Sequence, residues 1–176
     1  WRDDNPTIFT KAQRSSTTIL TTGFPDSTMS FFAKALSPAG LRILALQTPK
    51  QSAYNIGKEF GNRGQCNPTY FTVGNLVEHL MELRDKQKIP TAEVIKNYLF
   101  VTAGGCGPCR MGMYATEYRK ALRDSGFTGF RVLLLSRSGD AQSVDATGLM
   151  LDKKTLVRGF SSIMLGDIIN VLCLRN

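Results

Sequence analysis

Four short β-rich runs, with room for at least one helix between each successive pair, restrict this chain more than any other feature. They are Thr17 to Thr22, Leu41 to Leu46, Tyr98 to Thr102 and Arg131 to Leu135. Strands joined through helical segments of ten or more residues cannot pair as hairpins, so they predict a parallel sheet. The expected fold is therefore α/β: a Rossmann-like, doubly wound, mostly parallel sheet with helices on both faces. Ligands of such sheets sit at the carboxyl ends of the strands.

The helical segments have their own signals. Ser27 caps a segment carrying Phe31, Phe32 and Leu36, and Gly40 ends it. A short helix is expected from Ser52 to Glu59, broken by Gly61-Asn62-Arg63-Gly64. Pro68 then opens a helix at no cost in hydrogen bonds, and Val73, Leu76, Val77, Leu80 and Leu83 recur at spacings of three and four on its buried face. Met111, Tyr114, Ala115, Tyr118 and Leu122 mark another helix, ending at Gly126. A final helix is expected from Lys154 to Leu174, with Leu156, Phe160, Ile163, Met164, Ile168 and Val171 inward and a kink at Gly166. Residues 1–16 read as an N-terminal arm or linker, and residues 17–176 as a single domain with its cysteine loops at the strand carboxyl edge.

The chain has 176 residues and a formal charge of +8, from 22 Lys and Arg against 14 Asp and Glu. That balance favours anionic partners. The basic residues are dispersed, however, and nucleic acid is not expected because such arms concentrate five or more cations in one run. The opening Trp1-Arg2-Asp3-Asp4-Asn5-Pro6 reads as connecting chain, so the sequence is expected to be part of a longer one. No apolar run was expected to reach the roughly 20 residues that cross a bilayer. Four cysteines are too few for a disulfide scaffold, and a C-x-x-C pair at a Gly-Pro turn signals metal or redox chemistry inside a cell, so the cytoplasm is the expected compartment.

The strongest chemical signal is the turn from Gly104 to Arg110. Gly104, Gly105 and Gly107 allow close backbone approach, the following helix presents unpaired N–H groups, and Arg110 adds a positive side chain. All four are candidates for cradling an anionic cofactor. Cys106 and Cys109 lie in this turn, and Cys66, two residues before Pro68, is a third thiol at a helix N-terminus. Thiolates without a histidine cluster select zinc or iron–sulfur centres. Cys66, Cys106 and Cys109 are thus the candidate metal ligands. Cys173, in the run Val171 to Leu174, reads as core, and His79, the sole histidine, as a surface or packed residue.

Cys106-Gly107-Pro108-Cys109 after a strand and before a helix is also the arrangement of a thioredoxin dithiol, which makes a thiol–disulfide oxidoreductase the rival reading. Against it, all seven prolines lie at or before Pro108, leaving none downstream to face the dithiol, and Gly105 stands where a Trp is expected. A non-catalytic interaction module is a third reading, favoured if the two cysteine loops lie far apart.

The run from Ala103 through Cys106-Gly-Pro-Cys-Arg-Met-Gly-Met-Tyr114, continuing through Glu117-Tyr118-Arg119 to Val132, resembles the 2-hydroxyacyl-CoA dehydratase superfamily, with the activase-related and double-cubane-cluster branch the nearest likeness. Gln65-Cys66-Asn67-Pro68-Thr69 is similar to that family's other cysteine motif. The resemblance spans about Thr18 to Arg137, and nothing is recognised beyond it.

It implies a Rossmann-like domain supplying cysteines to an iron–sulfur cluster, of 4Fe-4S or double-cubane type, in low-potential electron transfer or radical dehydration by a lyase. It further implies Cys66 with Cys106 and/or Cys109 as ligands, and a remaining ligand from a later domain. The implied partners are an ATP-dependent activator component or domain and a CoA thioester. The chain has no P-loop of its own.

Overall fold

In a computed structural model, the structure describes residues 6–23, 25–103, 109–135 and 147–174. Four strands, β1 (Thr18–Thr21), β2 (Arg42–Ala45), β3 (Tyr98–Ala103) and β4 (Val132–Leu135), form one sheet in the order β2-β1-β3-β4. Every pairing is parallel: Thr18 lies opposite Arg42 on one side and Tyr98 on the other, and Phe100 lies opposite Val132. The doubly wound α/β class expected from the alternation of strands and helices is the fold observed.

Strand residues alternate between two buried layers, as a sheet covered on both faces requires. Leu20, Phe100 and Val132 face one core with Leu76, Leu80, Tyr118 and Phe127. Ile19, Leu99, Val101 and Leu133 face the other with Leu36, Leu41 and Phe9. Phe9 is fully buried, so the segment preceding β1 contributes to the core. Arg14 fastens the same segment: its guanidinium donates to the carbonyls of Gly148 at 2.8 Å, Ala39 at 3.0 Å and Met150 at 2.7 Å.

On the first face lie α2 (Gln51–Phe60), α3 (Asn67–Met81) and α5 (Tyr114–Asp124). All five apolar positions assigned to the inner face of α3 and its continuation, Val73, Leu76, Val77, Leu80 and Leu83, are buried. The helix widens into a π-helical turn over Glu82–Lys86. The pair α2 and α3 pack backbone to backbone. A Cβ on Gly57 would overlap the Tyr70 carbonyl, and one on Gly74 would overlap the Ala53 carbonyl, so glycine is required at both positions. A seven-residue helix, α4 (Thr91–Asn97), precedes β3.

On the second face lie α1 (Asp26–Leu36) and α6 (Lys153–Leu174). Here the structure corrects the sequence reading. The buried residues of α6 are Thr155, Gly159, Ser162 and Gly166. A Cβ on Gly166 would come within 2.6 Å of the Thr28 Cα, and one on Gly159 within 3.4 Å of Leu36 and Phe32. Small side chains thus let α6 approach α1 closely, and Gly166 serves as a contact point with Thr28.

The residues expected inward face outward. Leu156, Phe160, Met164, Ile168 and Val171 are between 50% and 73% exposed, and only Ile163 is half-buried. Cys173 is exposed too, which overturns its assignment to the core. The statement that no segment is long and apolar enough to cross a bilayer also fails. Over its 22 residues α6 contains an 18-residue window with a mean hydropathy of 1.5. Length and composition are all that this establishes, since core helices reach the same values.

Candidate functional site

Sheet order locates the site. From β1 the chain passes to β2 on one side, whereas β3 and β4 lie on the other, so the topological switch point falls between β1 and β3. In open parallel sheets ligands bind outside the carboxyl ends of the strands at this point. β3 ends at Ala103, immediately before the cysteine turn. Beneath the carboxyl ends of β1 and β3, on the α1 and α6 face, an apolar cavity of about 290 Å³ is lined by Ile19, Phe32, Val101 and Ile163, with Thr21 and Thr102 also lining it.

Gly104, Gly105, Cys106 and Gly107 lie outside the described residues, as does the side chain of Arg110. The chain resumes at Cys109, which is exposed and sits at the cap of a 3-10 turn, Arg110–Met113, that runs into α5. α5 starts at Tyr114.

Cys66 approaches the same place from the other direction. It is the cap residue of α3, with extended backbone at φ −69° and ψ 152°, and Pro68 follows in the first turn. Its thiol sulfur lies 3.0 Å from the Thr69 hydroxyl and 3.4 Å from the Tyr114 hydroxyl. These two hydrogen bonds, that of Thr69 first, hold the thiol below its ordinary pKa of 9.0 against the opposing effect of burial. The position at the N-terminus of a 15-residue helix acts in the same sense, because the helix dipole favours a thiolate there.

Tyr114 joins the two cysteine segments. Its phenol is raised above the usual tyrosine value, first by burial, then by its hydrogen bond to Cys66, and further by the negative charges of both Cys66 and Cys109. One phenol therefore senses a thiol from each cysteine motif. Of the three thiols proposed as ligands, Cys66 is placed against Tyr114, Cys109 lies at the cap of the turn that leads into the Tyr114 helix, and Cys106 lies outside the described residues.

The loop carrying Cys66 is fastened from several sides. Gly61 ends α2, donating to the Gly57 carbonyl at 2.9 Å, and Gly64 turns the chain with a φ of 77°. The Tyr70 hydroxyl accepts from the Gln65 N–H at 3.1 Å and donates to the Asn62 carbonyl at 3.0 Å. Lys120, on α5, donates to the Phe60 carbonyl at 2.8 Å. Glu117, 3% exposed, accepts from the Asn62 N–H, the Asn62 side-chain amide and the Gln65 side-chain amide.

Thr69, Tyr114 and Glu117 lie within the motifs read from sequence but were given no role in the site. Thr69 could have been found as a hydroxyl one helical turn after a capping cysteine. Tyr114 and Glu117 share an α5 face by their spacing of three, but their partners lie some fifty residues earlier in the chain. His79 is half-buried, as a packed residue, and its Nε2 has no hydrogen-bond partner among the described residues. Burial lowers its pKa.

As a donor set, Cys66 and Cys109 are exposed soft thiols, one of them already biased toward the thiolate, and this is the chemistry an iron–sulfur or zinc centre uses. Among the described residues no group of three or more His, Cys, Asp or Glu side chains is arranged to hold a metal. A complete ligand set therefore needs Cys106 or a donor from elsewhere.

Fold and site together define a doubly wound α/β domain in which the Cys66 thiol at the start of α3 meets Tyr114 at the start of α5. No protein-family model matches the chain, and no curated protein or solved structure matches it significantly.

Proposed function

We propose that this chain is the cluster-binding domain of a 2-hydroxyacyl-CoA dehydratase-like or activase-related protein, holding an iron–sulfur centre through Cys66, Cys106 and Cys109. The observation that supports this reading most is the meeting of two cysteine motifs at Tyr114, where the Cys66 thiol is pre-biased toward the ligating form.

In this reading the protein's own groups prepare the ligand. Thr69 and Tyr114 stabilise the Cys66 thiolate before any metal arrives, which lowers the proton-release cost of ligation. The Tyr114 hydroxyl keeps its proton well above neutral pH, since its pKa is raised above the usual tyrosine value, and so remains a donor to the thiolate. The net charge of +8 suits an anionic centre and anionic reductant or substrate. A bound centre would supply single electrons at low potential. The partners on this reading are an ATP-dependent activator component, a CoA thioester and further protein supplying the remaining ligand, in the cytoplasm.

Anaerobic reconstitution with iron and sulfide tests the proposal. The expected result is bound iron and sulfide with a broad absorption at about 400 nm, characteristic of thiolate-ligated clusters, lost in the Cys66→Ala, Cys106→Ala double variant. Colourless protein without bound iron would overturn it. Reversible cycling of a Cys106 to Cys109 disulfide in such protein would point instead to the thiol–disulfide oxidoreductase.

A further inference from the structure

The charged group with the most unusual surroundings near the site is Glu117. Its carboxylate is 3% exposed. A buried carboxylate is costly unless hydrogen-bond donors satisfy it. Three do. The Asn62 N–H donates at 3.2 Å, the Asn62 side-chain amide at 2.7 Å and the Gln65 side-chain amide at 3.2 Å. All three belong to the loop between α2 and α3 that ends at Cys66.

Glu117 also stands one helical turn after Tyr114, on the same face of α5. Tyr114 contacts the Cys66 sulfur while Glu117 grips the residues just before it. The two contacts form a closed frame: α5, the loop and the thiol.

We propose that Glu117 is a positioning residue, a carboxylate latch that holds the loop of residues 61–66 against α5 so that Cys66 meets Tyr114. It acts on the thiol through Asn62 and Gln65. The proposal rests on Cys66 being a working thiol of the site, but it needs no metal, so failure of cluster binding leaves it standing.

The test is whether the Cys66–Tyr114 contact depends on the latch. Alkylation of metal-free protein by iodoacetamide at one near-neutral pH is followed peptide by peptide. The exposed Cys173 serves as the internal standard, because a global change in folding alters both rates. In the parent protein, Tyr114→Phe is expected to slow Cys66 alkylation about threefold, the size of effect one hydrogen bond produces.

In the Glu117→Ala background the same Tyr114→Phe change is expected to have no further effect, because the contact is already lost. Gln65→Ala, which leaves the two bonds to Asn62 in place, is expected to weaken the dependence partway, and it decides the question if Glu117→Ala does not fold. An undiminished Tyr114→Phe effect in folded Glu117→Ala protein, or in Gln65→Ala when only that variant folds, overturns the proposal.

Discussion

The sulfur of Cys66 and the hydroxyl of Tyr114 lie 3.4 Å apart although 48 residues separate them in the chain. That contact unites a helix opened by a Cys-x-Pro motif with a helix that follows the Cys-Gly-Pro-Cys turn, and it gives the candidate site a definite chemistry.

The first prediction concerns the thiol. Thr69→Val and Tyr114→Phe each remove a hydroxyl that lowers the Cys66 pKa, so each is expected to move the midpoint of a Cys66 reactivity-against-pH curve upward, with Thr69→Val the larger. Thr69 is buried and valine preserves its shape, so the fold is retained. A midpoint that stays in place in both variants would remove the hydrogen bonds as its cause.

Linkage gives a second expectation. A thiol whose folded-state pKa is depressed contributes stability that is fully present above its unfolded value near 9.0 and is lost as the pH falls through the folded value. The difference in unfolding free energy between the parent and Cys66→Ser should therefore shift in favour of the parent as the pH rises across that interval. Urea melts at several pH values, in reductant, measure it.

The α2 and α3 contact is the third. Gly74→Ala drives a methyl group into the Ala53 carbonyl and is expected to cost about 3 kcal/mol, the upper range for overpacking. Displacing α3 also moves Cys66, so the thiol's reactivity should change with it. A Gly74→Ala protein with the parent's urea midpoint would contradict the packing described.

For α6, orientation is the issue. Gly166→Ala, facing the Thr28 backbone at 2.6 Å, should destabilise by about 1–3 kcal/mol. Phe160→Ser, on a side chain that is 73% exposed, should change stability by less than about 0.5 kcal/mol. The opposite ranking would restore the inward assignment of Phe160.

Arg14→Met removes three donors from the carbonyls of Ala39, Gly148 and Met150 while keeping most of the aliphatic stem. A loss of about 2 kcal/mol is expected, given that part of the group is solvated. Thermal unfolding of the purified variant checks it.

How far the sequence carried depended on whether the governing contacts were local. The parallel sheet and the inner face of α3 were legible because strand runs and a spacing of three and four are local patterns. α6 was misjudged because apolar residues surround most of its circumference, from Leu156 and Val157 to Leu165 and Ile168, and a count of large side chains gives no direction. The informative pattern was the small one, Thr155, Gly159, Ser162 and Gly166, which marks where two helix backbones come close. α4 has only seven residues, too few for a periodic signal. Cys66 was found because proline fixes the helix start beside it, whereas Glu117 could not be assigned, since its partners are 52 and 55 residues away.

The long sequence interval across the Cys66–Tyr114 contact has a bearing on biosynthesis. A ribosome that has released residue 66 has not yet made the tyrosine that completes its surroundings, and the emerging thiol has only the nearby Thr69 hydroxyl to lean on. Only when the later helix has docked does that sulfur gain its second hydroxyl partner, so the last step in maturation of the site follows folding in time.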